Sequence, residues 1–152
     1  MKRKKKKTAK KSSGRKLIEK AGLAVKHKFY LEASMILSDM FERKLKKILA
    51  RFENHLPGPG FTLEQCIKRV KYLHVSTKHP DLTAKVNIRL IDDIRTWKNQ
   101  RNDILKDIPD VHVSQARIER LANEGVKLYK ELTKAAKYLK SAEDLQNAER
   151  SG

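Results

Sequence analysis

From Leu17 to Leu139 the apolar residues recur at intervals of three and four, without the one-by-one alternation of a half-buried strand. That period belongs to the α-helix, and it constrains the fold before anything else does. Tyr30, Ala33, Ile36, Leu37, Met40, Phe41, Leu45, Ile48, Leu49 and Phe52 form one continuous stripe, so this segment predicts a long amphipathic helix. The stretch Leu17 to Val25 either extends that helix or forms a shorter one of its own. Leu56-Pro57-Gly58-Pro59-Gly60 stops it, because proline lacks a backbone donor and glycine frees the turn. Thr62 with Gln65 reads as a capping box opening a second helix, with Leu63, Cys66, Ile67, Val70 and Leu73 on its inner face. His79-Pro80-Asp81 breaks the chain again. A third long helix is expected from about Leu82 to Leu105, ended by Ile108-Pro109-Asp110. Ser114 is an N-cap candidate for the last helix, whose seam runs through Ile118, Leu121, Gly125, Leu128, Leu132, Ala135 and Leu139. Gly125 costs about 1 kcal/mol inside a helix, so its presence predicts close approach of a neighbouring helix. No repeat of 20–50 residues is visible. The expectation is all-α: a four- to five-helix antiparallel bundle over residues 15–140, with a basic arm at 1–14 and a tail at 141–152. A chain of 152 residues suits one domain with one core.

The second constraint is charge. Lysine and arginine number 36 against 18 acidic residues, a formal net charge of +18. Ten of the basic residues fall within the first sixteen positions, where no acid occurs: Lys2, Arg3, Lys4, Lys5, Lys6, Lys7, Lys10, Lys11, Arg15 and Lys16. The other 26 still outnumber the 18 acids by eight, so the body is basic without the arm. Such an excess repels itself and finds its natural ligand in a polyanion, nucleic acid first and RNA in particular. The arm also resembles a nuclear localisation run. It lacks the interleaved aromatic or leucine residues that insert into lipid, which argues against a membrane partner. It is not followed by the apolar region of a secretory leader. No apolar stretch approaches the ~18–20 residues of a transmembrane helix. A single cysteine, Cys66, rules out an intramolecular disulfide and suits a reducing cytoplasm.

Catalytic constellations are sparse. There is no glycine-rich phosphate loop and no nucleophile elbow. His27, His55, His74, His79 and His112 include no i,i+4 pair, so no helical metal site is expected, and nothing calls for a small-molecule cofactor. Cys66 lies on an apolar face and reads as a core residue. One position differs. The inner face of the third helix runs Ile94, Trp97, Arg101, then Ile104 and Leu105, so a guanidinium points toward the apolar side. A buried arginine is costly unless paired. Its partner is either a phosphate, a carboxylate or second subunit, or, within the chain, an acid such as Asp39 or Glu42.

The segment Trp97-Lys98-Asn99-Gln100-Arg101-Asn102-Asp103-Ile104-Leu105-Lys106 resembles the signature region of HEPN domains, small helical bundles of toxins, antiviral nucleases and RNA-processing factors. Their motif is an arginine, often followed by Asn or Asp, with a histidine four to six residues further on. Tyr30 to Leu49 resembles the family's first helix and Thr62 to Leu73 its second, so the likeness covers roughly residues 28 to 140. It implies a homodimer whose two motifs meet at the interface, and metal-independent cleavage of RNA through its own 2′-hydroxyl. Arg101 and Asn102 match the motif, but Lys106 stands where the histidine belongs. Lysine stays protonated near neutrality, so it steadies a phosphate but serves poorly as a base. The resemblance therefore implies Arg101, Asn102 and Lys106 as the reaction centre of a weak or silent endoribonuclease, in a defence or toxin–antitoxin setting. Lys98 and Arg101 would join the arm in binding RNA. The alternative is a structural RNA-binding component of a ribonucleoprotein particle.

Overall fold

The computed structural model describes residues 13–26, 28–53, 58, 60–76, 78–107, 114–137 and 139. The arm before Ser13 and the tail at 141–152 lie outside them, as do His27, His55, Pro57, Pro59, His112 and the Ile108-Pro109-Asp110 break. The protein is an all-α bundle. Among the described residues there are six helices and no strand: α1 (Ser13–Lys26), α2 (Tyr30–Phe52), α3 (Leu63–Val75), α4 (Pro80–Lys85), α5 (Ile88–Asp107) and α6 (Gln115–Ala136).

The count is six because Leu17 to Val25 takes the separate-helix alternative, which gives five, and the third expected long helix is divided. Leu17 to Val25 is a helix of its own, beginning at Ser13, two residues inside the expected arm. It closes in a Schellman arrangement: the Phe29 amide donates to Ala24 at 2.7 Å and the Lys28 amide to Val25 at 3.0 Å. Lys28 takes the left-handed position, at φ 64°, where glycine is usual. The expected helix Leu82 to Leu105 is two. Pro80 opens α4 at its first turn, where its missing donor is not needed. After Lys85 the chain extends through Val86, and the Asn87 side chain accepts from the Arg89 amide at 2.9 Å.

Caps fix two other helix starts as expected. Thr62 accepts from the Gln65 amide while the Gln65 side chain accepts from the Thr62 amide, and the Ser114 hydroxyl accepts from the Arg117 amide at 3.2 Å.

Side-chain registers give the helix directions. Helices α1 and α2 form an antiparallel hairpin. Helices α3 and α5 are antiparallel, since Glu64 meets Lys98 while Lys71 meets Asp92. Helices α5 and α6 are likewise antiparallel, with Asp107 beside Arg117 and the Trp97 indole donating to the Leu121 carbonyl at 2.7 Å. Helices α2 and α6 instead run parallel: Tyr30 bonds Glu119, Leu37 lies against Gly125, and the rings of Phe41 and Tyr129 meet edge-on at 5.6 Å. Helix α3 also follows the direction of α2, because Leu63 shares a depression with Asp39 while Arg69 pairs with Glu53. Antiparallel pairing thus holds for α1–α2, α3–α5 and α5–α6 but not for every neighbour.

The core sits where α2, α5 and α6 converge. Trp97, Phe41, Leu37, Leu45, Ile94 and Leu132 are almost wholly shielded there, and Phe41 and Trp97 pack with ring centres 5.1 Å apart. Burying side chains of this kind contributes about 1.5–3 kcal/mol each. Gly125 lets α6 press against this cluster. A Cβ at that position would lie 2.8 Å from the Trp97 ring and 2.9 Å from Leu37.

A candidate nucleic-acid interface

The signature segment occupies the last three turns of α5, which stays helical through Asp107. Arg101 is half-buried there, on the same side as Trp97 and Leu105, as the apolar period requires. It opens into a shallow depression lined by Met35, Ser38, Asp39 and Glu42 of α2 and by Leu63 of α3. Neither carboxylate closes a salt bridge with it. Asp39 pairs with Arg43 at 2.9 Å and Glu42 with Lys46 at 3.7 Å, each one turn along α2. Arg101 instead donates from Nη1 to the Asn102 side chain at 3.1 Å, and its Nε is shielded with no acceptor among the described residues. Burial pushes the guanidinium below the ordinary arginine value, the direction expected when a cation loses water without gaining an anion.

The other motif positions do not converge on Arg101. Asn102 and Lys106 are exposed. Five residues along a regular helix is a rotation that leaves the Lys106 direction about 140° from that of Arg101. Lys98 donates to Glu64, which also pairs with Arg95 at 2.9 Å. The hydrogen bond from Lys98 comes first among the causes that hold the Glu64 carboxyl below its usual range, so the Lys98 charge is already balanced in the folded chain. The ten basic residues of the first sixteen positions are outside the described part except Arg15, on the first turn of α1, and Lys16, exposed beyond it.

Two further features bear on chemistry. A groove of about 540 Å³ between α5 and α6 is floored by Trp97, Ile104 and Leu121. Its rim carries Asp93, Asp103 and Glu124 against Arg117 and Arg120, so it holds both signs and offers a polyanion no net attraction. Cys66 is fully buried, and desolvation pushes its thiol up to about 11, the opposite of a nucleophile's adjustment. Among the described residues no group of three His, Cys, Asp or Glu side chains is placed to hold a metal ion, and no helix is long and apolar enough to cross a membrane.

A second basic run lies in the C-terminal half of α2. Between Glu42 and Glu53 the chain carries Arg43, Lys44, Lys46, Lys47 and Arg51 and no acid. Sequence reading passed over these residues because lysines beside a core stripe look like an ordinary solvated face. The run without an acid was the signal that could have found them.

No family model, curated protein or solved structure matches the chain. The functional reading therefore rests on the residues themselves.

Proposed function

We propose that this is an RNA-binding protein of HEPN-like build that holds RNA without cleaving it. One observation carries the reading: basic residues outnumber acidic ones two to one, and the surplus remains on the folded helices once the N-terminal run is set aside. Charge of that size and sign supplies sequence-independent attraction to phosphate. The geometry of α5 supports binding over catalysis, since Arg101 and Lys106 diverge around the helix and the Arg101 depression also contains Asp39 and Glu42. Acting as a silent relative, the protein would serve in a cytoplasmic defence or toxin–antitoxin setting; as a permanent RNA companion, in a ribonucleoprotein particle. The homodimer belongs to the same proposal, with the exposed Met35 and half-buried Arg101 near its centre.

The test is a labelled single-stranded RNA incubated with the full chain in chelator, read for binding and for cleavage at several salt concentrations. Tight binding with a steep inverse salt dependence and intact RNA is expected. Cleavage by the wild type that Arg101→Ala abolishes would overturn the non-cleaving reading, and absence of binding at low salt would overturn the RNA reading altogether. Light scattering on RNA-free protein tests the dimer, which a monomer at high concentration would refute.

A further inference from the structure

Four of the five cations in this run of α2 line one cleft. The α1–α2 hairpin brings Leu17 of α1 opposite the middle of α2, while the parallel packing of α6 brings Tyr129 to the same level. Between them lies a hollow of about 320 Å³, walled by Arg43, Lys44, Lys46 and Lys47 together with Leu17, Met40 and Tyr129. Its lining among the described residues carries no carboxylate.

The four cations are not equivalent. Arg43 and Lys46 are balanced by Asp39 and Glu42, one turn back on α2. Lys44 and Lys47 have no carboxylate partner among the described residues. Lys44 is also partly withdrawn from water, with its ammonium 5.9 Å from the centre of the Tyr129 ring. Burial, with the Lys47 charge as a second cause, makes it easier to deprotonate than an ordinary lysine. A partly desolvated Lys44 beside the exposed Lys47 charge is unfavourable in the free protein. An anion entering the hollow relieves both the repulsion and the desolvation at once.

We propose that this cleft is a phosphodiester-binding site, in which Lys44 and Lys47 take backbone phosphates of an RNA strand while Arg43 and Lys46 remain anchored to α2. The proposal deepens the RNA reading and rests on it. The site reads backbone rather than base. Tyr129 is 8% exposed, so its ring is a wall and not a platform on which a base could stack. The cleft is separate from Arg101, whose depression lies beside the Asp39 and Glu42 carboxylates. Lys16, the last basic residue of the first sixteen positions, directly precedes the wall residue Leu17 in the sequence.

The experiment measures binding of labelled oligouridylate across a salt series by three full-length proteins: wild type, Lys44→Gln/Lys47→Gln, and Lys78→Gln/Lys127→Gln. The last pair removes the same charge from exposed positions outside the cleft, Lys127 facing away from Tyr129 around α6. Circular dichroism confirms that all three fold. Each lost phosphate contact on a single strand removes about 0.7 from the log–log salt slope. The cleft pair should therefore lose about 1.4 and bind at least tenfold more weakly at low salt, while the outer pair keeps nearly the wild-type slope. Equal losses from both pairs would overturn the site yet leave RNA binding standing as diffuse attraction. A wild type that ignores RNA would remove the RNA reading and this site with it. Retention instead on vesicles rich in anionic phospholipid, lost in the cleft pair, would reassign the cleft to a membrane surface and overturn the proposal.

Discussion

Replacing Gly125 with alanine should destabilise the protein even though alanine is the better helix former. Two opposing terms decide the sign. Removing a helix-interior glycine gains about 1 kcal/mol. Against it stands the space: the new Cβ would sit 2.8 Å from two atoms of the Trp97 ring and 2.9 Å from Leu37. Neither neighbour can give way easily. Trp97 is pinned by its indole bond to Leu121 and by the Phe41 ring, and Leu37 is fully buried. Overpacking a filled core costs about 1–3 kcal/mol, and the rigidity of this contact places Gly125 toward the upper end. The net is a loss of about 1–2 kcal/mol, or roughly 2–8 °C in Tm at 2–4 °C per kcal/mol for a chain of this size. Gly22→Ala is the matched control. Gly22 lies within α1 with nothing within 4 Å of its absent Cβ, so there the propensity gain is unopposed and Tm should rise by a few degrees. Thermal unfolding followed by circular dichroism reads both variants. If Gly125→Ala raises Tm as much as Gly22→Ala does, the contact between α6 and Trp97 is looser than described and the reasoning fails.

Lys28→Gly should raise stability by about 1 kcal/mol, because Lys28 occupies the left-handed position of the α1–α2 turn at φ 64°, where a Cβ is penalised; urea unfolding with an unchanged m-value checks it. Cys66 should resist a thiol reagent at neutral pH at a rate set by unfolding, since the thiol is buried and pushed up to about 11; rapid labelling of the native protein would contradict its position. The Glu64 carboxyl is held low chiefly by Lys98, so its contribution is fully present above the unfolded carboxyl value, about 4.3, and is lost as pH falls through the lower folded value. The stability gap between wild type and Glu64→Gln should therefore be constant near neutrality and close below about pH 4; a gap that persists in acid would show that Glu64 acts other than by charge.

The helical architecture was legible because a period of three and four survives any arrangement of the helices around it. Thr62, Gln65 and Ser114 were legible as caps for a similar reason, since capping is local chemistry. Gly125 was legible because an uncompensated cost in a helix implies a packing reason. The break between α4 and α5 was missed. Its signal was Asn87, a residue that caps its own backbone, hidden behind the conspicuous Pro80, which starts a helix rather than ending one. Arg101 was placed correctly on the inner side, but Asp39 and Glu42 each have a nearer cation four residues along their own helix. The cleft around Lys44 was not legible. Its charges belong to one segment, but their shielding comes from Leu17 and Tyr129, which only the folded chain brings together.

The parallel course of α2 and α6 has a consequence for how the chain comes into being. A ribosome delivers α2 early and α6 late, and nothing between them can stand in for the ridge that Gly125, Leu128, Tyr129 and Leu132 lay along α2. Until that ridge arrives, Leu37, Phe41 and Trp97 have an open side. A nascent chain is therefore an adhesive apolar surface, the kind that chaperones recognise. Release of a stalled product lacking α6 should give aggregate rather than a smaller domain.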